Sequence, residues 1–155
     1  MLNLTTMITE LRTPLEELVR NLEGDFYDDE LTRRIYATDA SVYRKLPLAV
    51  VLPKSSKDLG HLIDYANLNS IGLIPRTAGT SLAGQCVGDG LVVDVSKHFT
   101  EIISLDKEKK QVTVQPGVIR DALNVYLKLS FRLHPAKLHF LYIIKSWLAR
   151  IVCWL

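Results

Sequence analysis

The stretch from Pro75 to Gln85 carries residue types that could bind a charged ligand. It reads Pro-Arg-Thr-Ala-Gly-Thr-Ser-Leu-Ala-Gly-Gln and lies between two apolar segments, residues 71–74 and 91–95. Small residues let backbone N–H groups come close to a ligand, and a concave set of such groups can hold phosphate oxygens. The stretch could therefore form a cradle for a phosphate or diphosphate group.

The residues alone leave three interpretations of Arg76 to Gln85 open. The first is an ordinary surface connection. The second is a Rossmann or P-loop nucleotide site, which is disfavoured because G-x-G-x-x-G and G-K-[ST] are absent and a strand, not a helix, is predicted to follow. The third is a diphosphate cradle of backbone amides, with side-chain donors from Arg76, Thr80 and Ser81. The small residues that this third interpretation requires are Ala78, Gly79, Ala83 and Gly84.

Other polar residues offer weaker chemistry. Ser81, Asp94 and His98 could suggest a hydrolase triad, but a nucleophile elbow would place the serine between glycines on a strand-to-helix turn. Asp39 and Arg44 are expected to form a local structural pair. Asp94, at the end of an apolar strand, is expected to anchor the neighbouring loop by hydrogen bonding. The sequence thus assigns no catalytic residue.

Composition limits the function classes. The chain has 155 residues, of which 48% are hydrophobic and 23% charged, as in a globular domain. The net charge of +2 gives no argument for nucleic-acid binding. The two cysteines lack metal-ligand spacing and suit a reducing compartment, so we expect no metal site. With no signal-peptide pattern and no apolar run long enough to span a membrane, we expect a cytoplasmic location.

The hydrophobic pattern predicts a mixed α/β (α+β) fold that begins with a parallel βαβ unit. A helix starts near Thr13 and is ended by Gly24, and the later elements follow in a regular order. These are a strand at residues 49–52, a helix at 55–69, strands at 71–74 and 91–95, a hairpin of 101–105 with 111–115, and a helix at 118–129.

Five stretches, taken in order, resemble one known family. They are residues 36–44, 47–53, 75–85, 90–96 and 112–118. Together they look like the N-terminal part of the FAD-linked oxidases, which share the fold of vanillyl-alcohol oxidase. The nearest likeness is to the branch that contains the flavin-binding chain of glycolate oxidase, D-lactate dehydrogenases and D-2-hydroxyglutarate dehydrogenase. The resemblance runs from Leu31 to Leu129.

The resemblance implies a fold in which two subdomains hold FAD, and a loop that wraps its pyrophosphate. The family's usual Arg-Gly-x-Gly-Thr-Ser appears here with Thr77 in place of a glycine. If that position needs a positive φ, Thr77 costs about 1–3 kcal/mol. Some relatives carry a flavin-linked histidine where this chain has Thr80, so FAD is expected to bind non-covalently. The cofactor-binding residues implied are Arg76, Thr77, Ala78, Gly79, Thr80, Ser81, Gly84, Gln85 and Gly117.

The resemblance also implies a division of the chain into a helical lead-in (1–30), a partial FAD-binding domain (31–129) and an aberrant apolar tail (130–155). The tail carries both tryptophans of the protein. It could be an out-of-register or truncated end, an interfacial amphipathic helix or a packing helix.

The predicted function is FAD binding as part of a flavin-dependent oxidoreductase acting on 2-hydroxy acids. We expect the chain to be truncated and inactive alone. The alternatives are a non-functional remnant, or a module that contacts a membrane surface or a protein through residues 138–155.

Overall fold

The computed structural model describes residues 12–109, 111–131, 143–144 and 151–154. It divides the chain into two units, the first ending at Asp94 and the second beginning at Val95.

The described residues of the first unit form a four-stranded sheet and three helices. The helices are α1 (Arg12–Asn21), α2 (Glu30–Ile35) and α3 (Ser56–Asn69), and the strands are β1 (Asp25–Tyr27), β2 (Ala49–Leu52), β3 (Leu73–Arg76) and β4 (Leu91–Asp94). The strand order is β1-β2-β4-β3. Strands β2 and β3 both pair with β4 in parallel, and β1 pairs with β2 antiparallel. The predicted parallel start of the fold is confirmed, with β4 inserted between the other two parallel strands.

The central strands owe their position to their composition. Strands β2 and β4 are continuous apolar runs, apart from the last residue of β4, and nearly all of their side chains are buried. Such runs are typical of parallel strands that are covered on both faces. Helix α3 joins β2 to β3. Its N-cap is Ser55, whose side chain accepts a hydrogen bond from Asp58 N. These elements place the start of the 76–85 loop at the carboxyl end of β3.

Asp58 ties the start of α3 to the turn before β1. Its carboxylate is fully buried and accepts three backbone N–H groups, from Glu23 at 2.9 Å, Gly24 at 3.0 Å and Lys54 at 2.8 Å. A buried carboxylate needs such partners because desolvation is costly. Helix α1 therefore ends at Asn21, and the residues up to Gly24, the predicted end of this helix, form a turn fixed by Asp58.

In the second unit, the residues that the structure describes form an antiparallel sheet and one helix. It contains β5 (Ile102–Asp106), β6 (Gln111–Val114), α4 (Arg120–Phe131), β7 (Ile143–Ile144) and β8 (Ile151–Trp154), with strand order β5-β6-β8-β7. Its buried core consists of Val112, Val114, Leu123 and Leu127. The predicted hairpin is confirmed as β5 and β6.

The structure describes only part of the predicted apolar tail. Residues 151–154 form strand β8, which pairs antiparallel with β6, so a helix is wrong for this segment. Residues 143–144 pair with β8 as strand β7. Residues 132–142, 145–150 and 155 lie outside the described residues, as do residues 1–11 of the predicted lead-in.

Candidate functional site

The candidate loop leaves the sheet where two parallel strands end side by side. Arg76 is the last residue of β3, and in the parallel register it lies opposite Asp94, the last residue of β4. Ligands of open parallel sheets bind outside the carboxyl ends of the strands. The loop from Thr77 to Gln85 begins at this edge of the sheet.

Two glycines give the loop its shape. Gly79 has a φ of +65° and Gly84 a φ of +75°, which are left-handed values that favour glycine. A Cβ on Gly79 would lie 2.7 Å from Arg76 Cζ, and one on Gly84 would lie 2.7 Å from Tyr43 Cδ2. Glycine is therefore strongly favoured at both positions.

The Thr77 position does not need a glycine conformation. Among the residues that the structure describes, Ser70 is the non-glycine residue with a positive φ, at the end of α3. The expected strain at Thr77 is therefore absent, because its backbone occupies a region open to any side chain.

Several loop N–H groups are available to a ligand. Within the described part of the chain, no group accepts a hydrogen bond from the backbone N–H of Ala78, Thr80 or Leu82, and all three residues are exposed. Ser81 is engaged inside the loop: its Oγ accepts from Ala83 N at 3.3 Å and Gln85 N at 3.1 Å, and its hydroxyl donates to Gln85 Oε1. The free donors of this loop are thus mainly backbone amides.

The loop is held by residues 36–44, which we call the supporting segment. Ala40 N donates to Gly79 O at 3.1 Å, and Arg76 Nη1 donates to Thr38 O at 2.7 Å. The ring of Tyr43 occupies the space beside Gly84. These contacts fix both glycine turns of the loop from one side.

Asp39 of the supporting segment binds backbone groups. Its carboxylate accepts from Ser41 N at 2.9 Å and from Cys86 N at 3.4 Å. Hydrogen bonding by Ser41 is the main cause that lowers the pKa of Asp39. The expected Asp39–Arg44 pair is replaced by a backbone bridge between Thr38 and Arg44.

Asp94 is buried and binds Tyr36 of the supporting segment, while the expected anchoring of the neighbouring loop stays a prediction. Asp94 is 5% exposed and accepts the hydroxyl of Tyr36 at 2.7 Å. Burial, followed by the hydrogen bond and charge of Asp94, raises the pKa of Tyr36 to about 12. Arg76 Cζ lies 5.0 Å from the centroid of the Tyr36 ring, within the range of a cation–π contact.

Ser81, the residue suggested as a nucleophile, has its hydroxyl engaged inside the loop, where it donates to Gln85 Oε1.

Gly117 belongs to the second unit, where close packing against the backbone explains why this position is a glycine. A Cβ at this position would lie 2.7 Å from the carbonyl oxygens of Phe99 and Val95, and its N–H donates to Phe99 O at 2.8 Å.

The described residues contain neither a candidate metal cluster nor a candidate membrane-spanning helix. Among the described residues, no group of three His, Cys, Asp or Glu side chains could hold a metal ion. In the same part of the chain, no helix is both long and apolar enough to cross a membrane.

Sequence reasoning missed the role of the supporting segment. Tyr36 to Arg44 contributes to the resemblance, but its residues show no periodicity that links them to the loop. The hydrogen bonds to the loop join residues 38 and 47 positions apart in the chain. Residues 36–44 and 75–85 both belong to the stretches that resemble the family. This shared membership is the sequence signal that could have suggested a contact between them.

Comparisons with known proteins agree with this geometry. Residues 47–142 match a family described as an FAD binding domain. Two curated D-2-hydroxyglutarate dehydrogenases are similar in sequence: that of Haemophilus influenzae is 39% identical over 112 residues, and that of Escherichia coli K12 is 41% identical over 118. The alignments cover 70% and 74% of this chain but only 11% and 12% of those proteins. The chain therefore spans about a tenth of the length of these relatives.

The fold is also found among solved structures. The chain superposes on 4-ethylphenol oxidase from Gulosibacter chungangensis with a TM-score of 0.66, at 19% identity, over 84% of this chain and 27% of that one. At this identity the likeness shows the fold.

The parallel sheet, the loop at its edge and the family match define part of an FAD-binding domain. The chain belongs to the family described as an FAD binding domain, and it has the fold of the FAD-linked oxidases. FAD is the cofactor of this family, and the predicted family, fold and cofactor are confirmed.

Proposed function

We propose that the 76–85 loop binds FAD non-covalently through its backbone N–H groups. The observation that carries this proposal is the set of unbonded N–H groups at Ala78, Thr80 and Leu82, on a loop shaped by two glycines with positive φ. Such a set of backbone donors suits the diphosphate of FAD because peptide N–H groups place partial positive charge near the phosphate oxygens. The donor set therefore fits a diphosphate ligand.

The loop residues have distinct roles in this proposal. The residues proposed to form the site are those of the loop: Arg76, Thr77, Ala78, Gly79, Thr80, Ser81, Gly84 and Gln85. Gly117, which belongs to the second unit, stays a prediction from the family resemblance. Gly79 and Gly84 let the backbone turn, and the Thr80 hydroxyl adds a side-chain donor. A threonine hydroxyl forms no covalent bond to flavin, which is why the binding is proposed to be non-covalent.

The whole protein is proposed to be an oxidoreductase of 2-hydroxy acids, by similarity to the dehydrogenases that it matches. In such an enzyme, bound FAD supplies the acceptor for a hydride from the substrate. This chain corresponds to 11–12% of those relatives, so we propose that it contributes diphosphate binding and is inactive alone. A cytoplasmic location and a contact of residues 138–155 with a membrane surface or a protein stay predictions.

Titration of the full chain with FAD, ADP and riboflavin tests the proposal. Flavin fluorescence and thermal melting would follow binding. FAD and ADP share the diphosphate, so we expect both to bind in a saturable way and to compete, whereas riboflavin should bind much more weakly. At 100 times the Kd, FAD should stabilise the fold by about 2.7 kcal/mol and raise the melting temperature.

Two outcomes contradict the proposal. If FAD does not bind in a saturable way, the proposed function is wrong. Riboflavin binding as tight as that of FAD shows that the diphosphate loop is not the binding element.

A further inference from the structure

Arg76 is held by three groups at the end of β3. Its Nη1 donates to Thr38 O at 2.7 Å, and its Cζ lies 5.0 Å from the centroid of the Tyr36 ring. Its guanidinium also fills the space that a Cβ on Gly79 would need, since Cζ is 2.7 Å from that position. The side chain thus lies against the backbone of the first glycine turn.

The group beneath Arg76 is itself fixed. Tyr36 donates its hydroxyl to Asp94, which is 5% exposed at the end of the central strand β4. This part-buried hydrogen bond to a carboxylate holds the ring in one orientation. A continuous set of contacts therefore runs from Asp94 through Tyr36 and Arg76 to Gly79, whose carbonyl accepts from Ala40 N.

We propose that Arg76 is a positioning residue that supports the Gly79 turn from within the protein, and that its charge does not bind the diphosphate. For the identity of the ligand, this inference rests on the proposed function. The role depends on the planar guanidinium of arginine. This group can pack on the Tyr36 ring, donate to Thr38 O and lie against Gly79 at the same time. A lysine keeps the charge but lacks the flat, forked group.

The first experiment measures the loop without any ligand. Amide exchange at Ala40, whose N–H donates to Gly79 O, reports the integrity of the turn in the full chain. We expect exchange at Ala40 to be about tenfold faster in Arg76→Lys, Arg76→Met and Tyr36→Leu. Arg44→Lys is the matched control, because Arg44 is exposed in the same segment, and it should leave this rate within twofold of wild type.

The second experiment measures FAD affinity as a function of salt. A positioning role predicts that Arg76→Lys and Arg76→Met raise the Kd by similar factors, roughly tenfold, with an unchanged slope of log Kd against log salt concentration. Tyr36→Phe keeps the ring and should weaken binding less than Tyr36→Leu. Two results together would show that Arg76 contacts the phosphate directly and would overturn the inference. In these results, Arg76→Lys binds FAD almost as tightly as wild type, and Arg76→Met has a smaller slope of log Kd against log salt concentration.

The two experiments separate this inference from the proposed function. If wild type fails to bind FAD, the proposed function is wrong, while Ala40 exchange still tests the support of the turn. If exchange at Ala40 is the same in the Arg76 variants and in Arg44→Lys, the inference is wrong whether or not FAD binds. Tyr36→Phe serves as a milder variant if Tyr36→Leu does not fold.

Discussion

Replacing Asp58 by asparagine should destabilise the first unit strongly. Its Oδ2 accepts from Gly24 N and Lys54 N, and its Oδ1 accepts from Glu23 N. An asparagine amide has one oxygen, so at least one of these N–H groups would face an NH₂ donor in a fully buried site. All three bonds would also lose the carboxylate charge.

The expected loss of stability in Asp58→Asn can be worked out from these three hydrogen bonds. One unsatisfied buried donor costs about 1–3 kcal/mol, and loss of charge assistance adds to it, so we expect about 2–4 kcal/mol in total. This is a large share of the roughly 5–15 kcal/mol that stabilises a typical domain. At about 2–4 °C per kcal/mol for a protein of this size, the melting temperature should fall by roughly 4–16 °C.

The assay is thermal melting and urea unfolding of Asp58→Asn beside Asp64→Asn. Asp64 is an exposed residue of the same helix, α3, so its variant controls for the loss of one negative charge. The control should unfold within about 0.5 kcal/mol of wild type. If Asp58→Asn is as stable as Asp64→Asn, the three hydrogen bonds do not anchor α3 and the reasoning fails.

Three further changes test the site and its scaffold. Gly79→Ala should raise the Kd for FAD about tenfold, because alanine is disfavoured by about 1–2 kcal/mol at a φ of +65°, while Gly72→Ala, where a Cβ meets nothing within 4 Å, should have little effect. Equal affinities of the two variants in the FAD titration would contradict this. Gly60→Ala, inside α3 and with open space for a Cβ, should stabilise the chain by about 0.5–1 kcal/mol in urea unfolding, and a loss of stability would refute it. The pKa of Tyr36 is raised from 10.0 to about 12 in the folded state, so its contribution to stability is present below pH 10 and is lost as the pH rises through about 12. Between pH 9 and 12, wild type should lose more stability than Tyr36→Phe, since Tyr65, whose pKa burial also raises, contributes equally in both proteins. Parallel unfolding profiles of the two proteins would contradict the prediction.

The regular elements of the first unit were largely predictable. The apolar runs at residues 49–52 and 91–94 and the helix that begins after Ser55 are local patterns, and the structure has them as β2, β4 and α3. The short elements β1 and α2 were not predicted. Strand β1 has three residues and α2 has six, so neither shows a full period of hydrophobic alternation.

The candidate loop was predictable as a loop, but its internal geometry was not. The small residues of the 76–85 stretch pointed to a backbone cradle. The positive φ values at Gly79 and Gly84 and the ordinary backbone at Thr77 depend on what lies beside the loop, which is the supporting segment. The sequence predicted Arg76 as a ligand donor, which stays a prediction, and it gave no sign of the hydrogen bond from Arg76 to Thr38 O.

The sequence by itself determined the order of the main elements through local patterns, and it determined the family and the cofactor class through its resemblance to known proteins. Only the tertiary structure decided which partners Arg76, Asp94 and Asp58 have. Their hydrogen bonds reach groups up to 58 residues away in the chain, and no local pattern specifies them. Buried polar groups take their partners from whatever the fold brings within about 3 Å, so their roles emerge when the sheet and helices assemble.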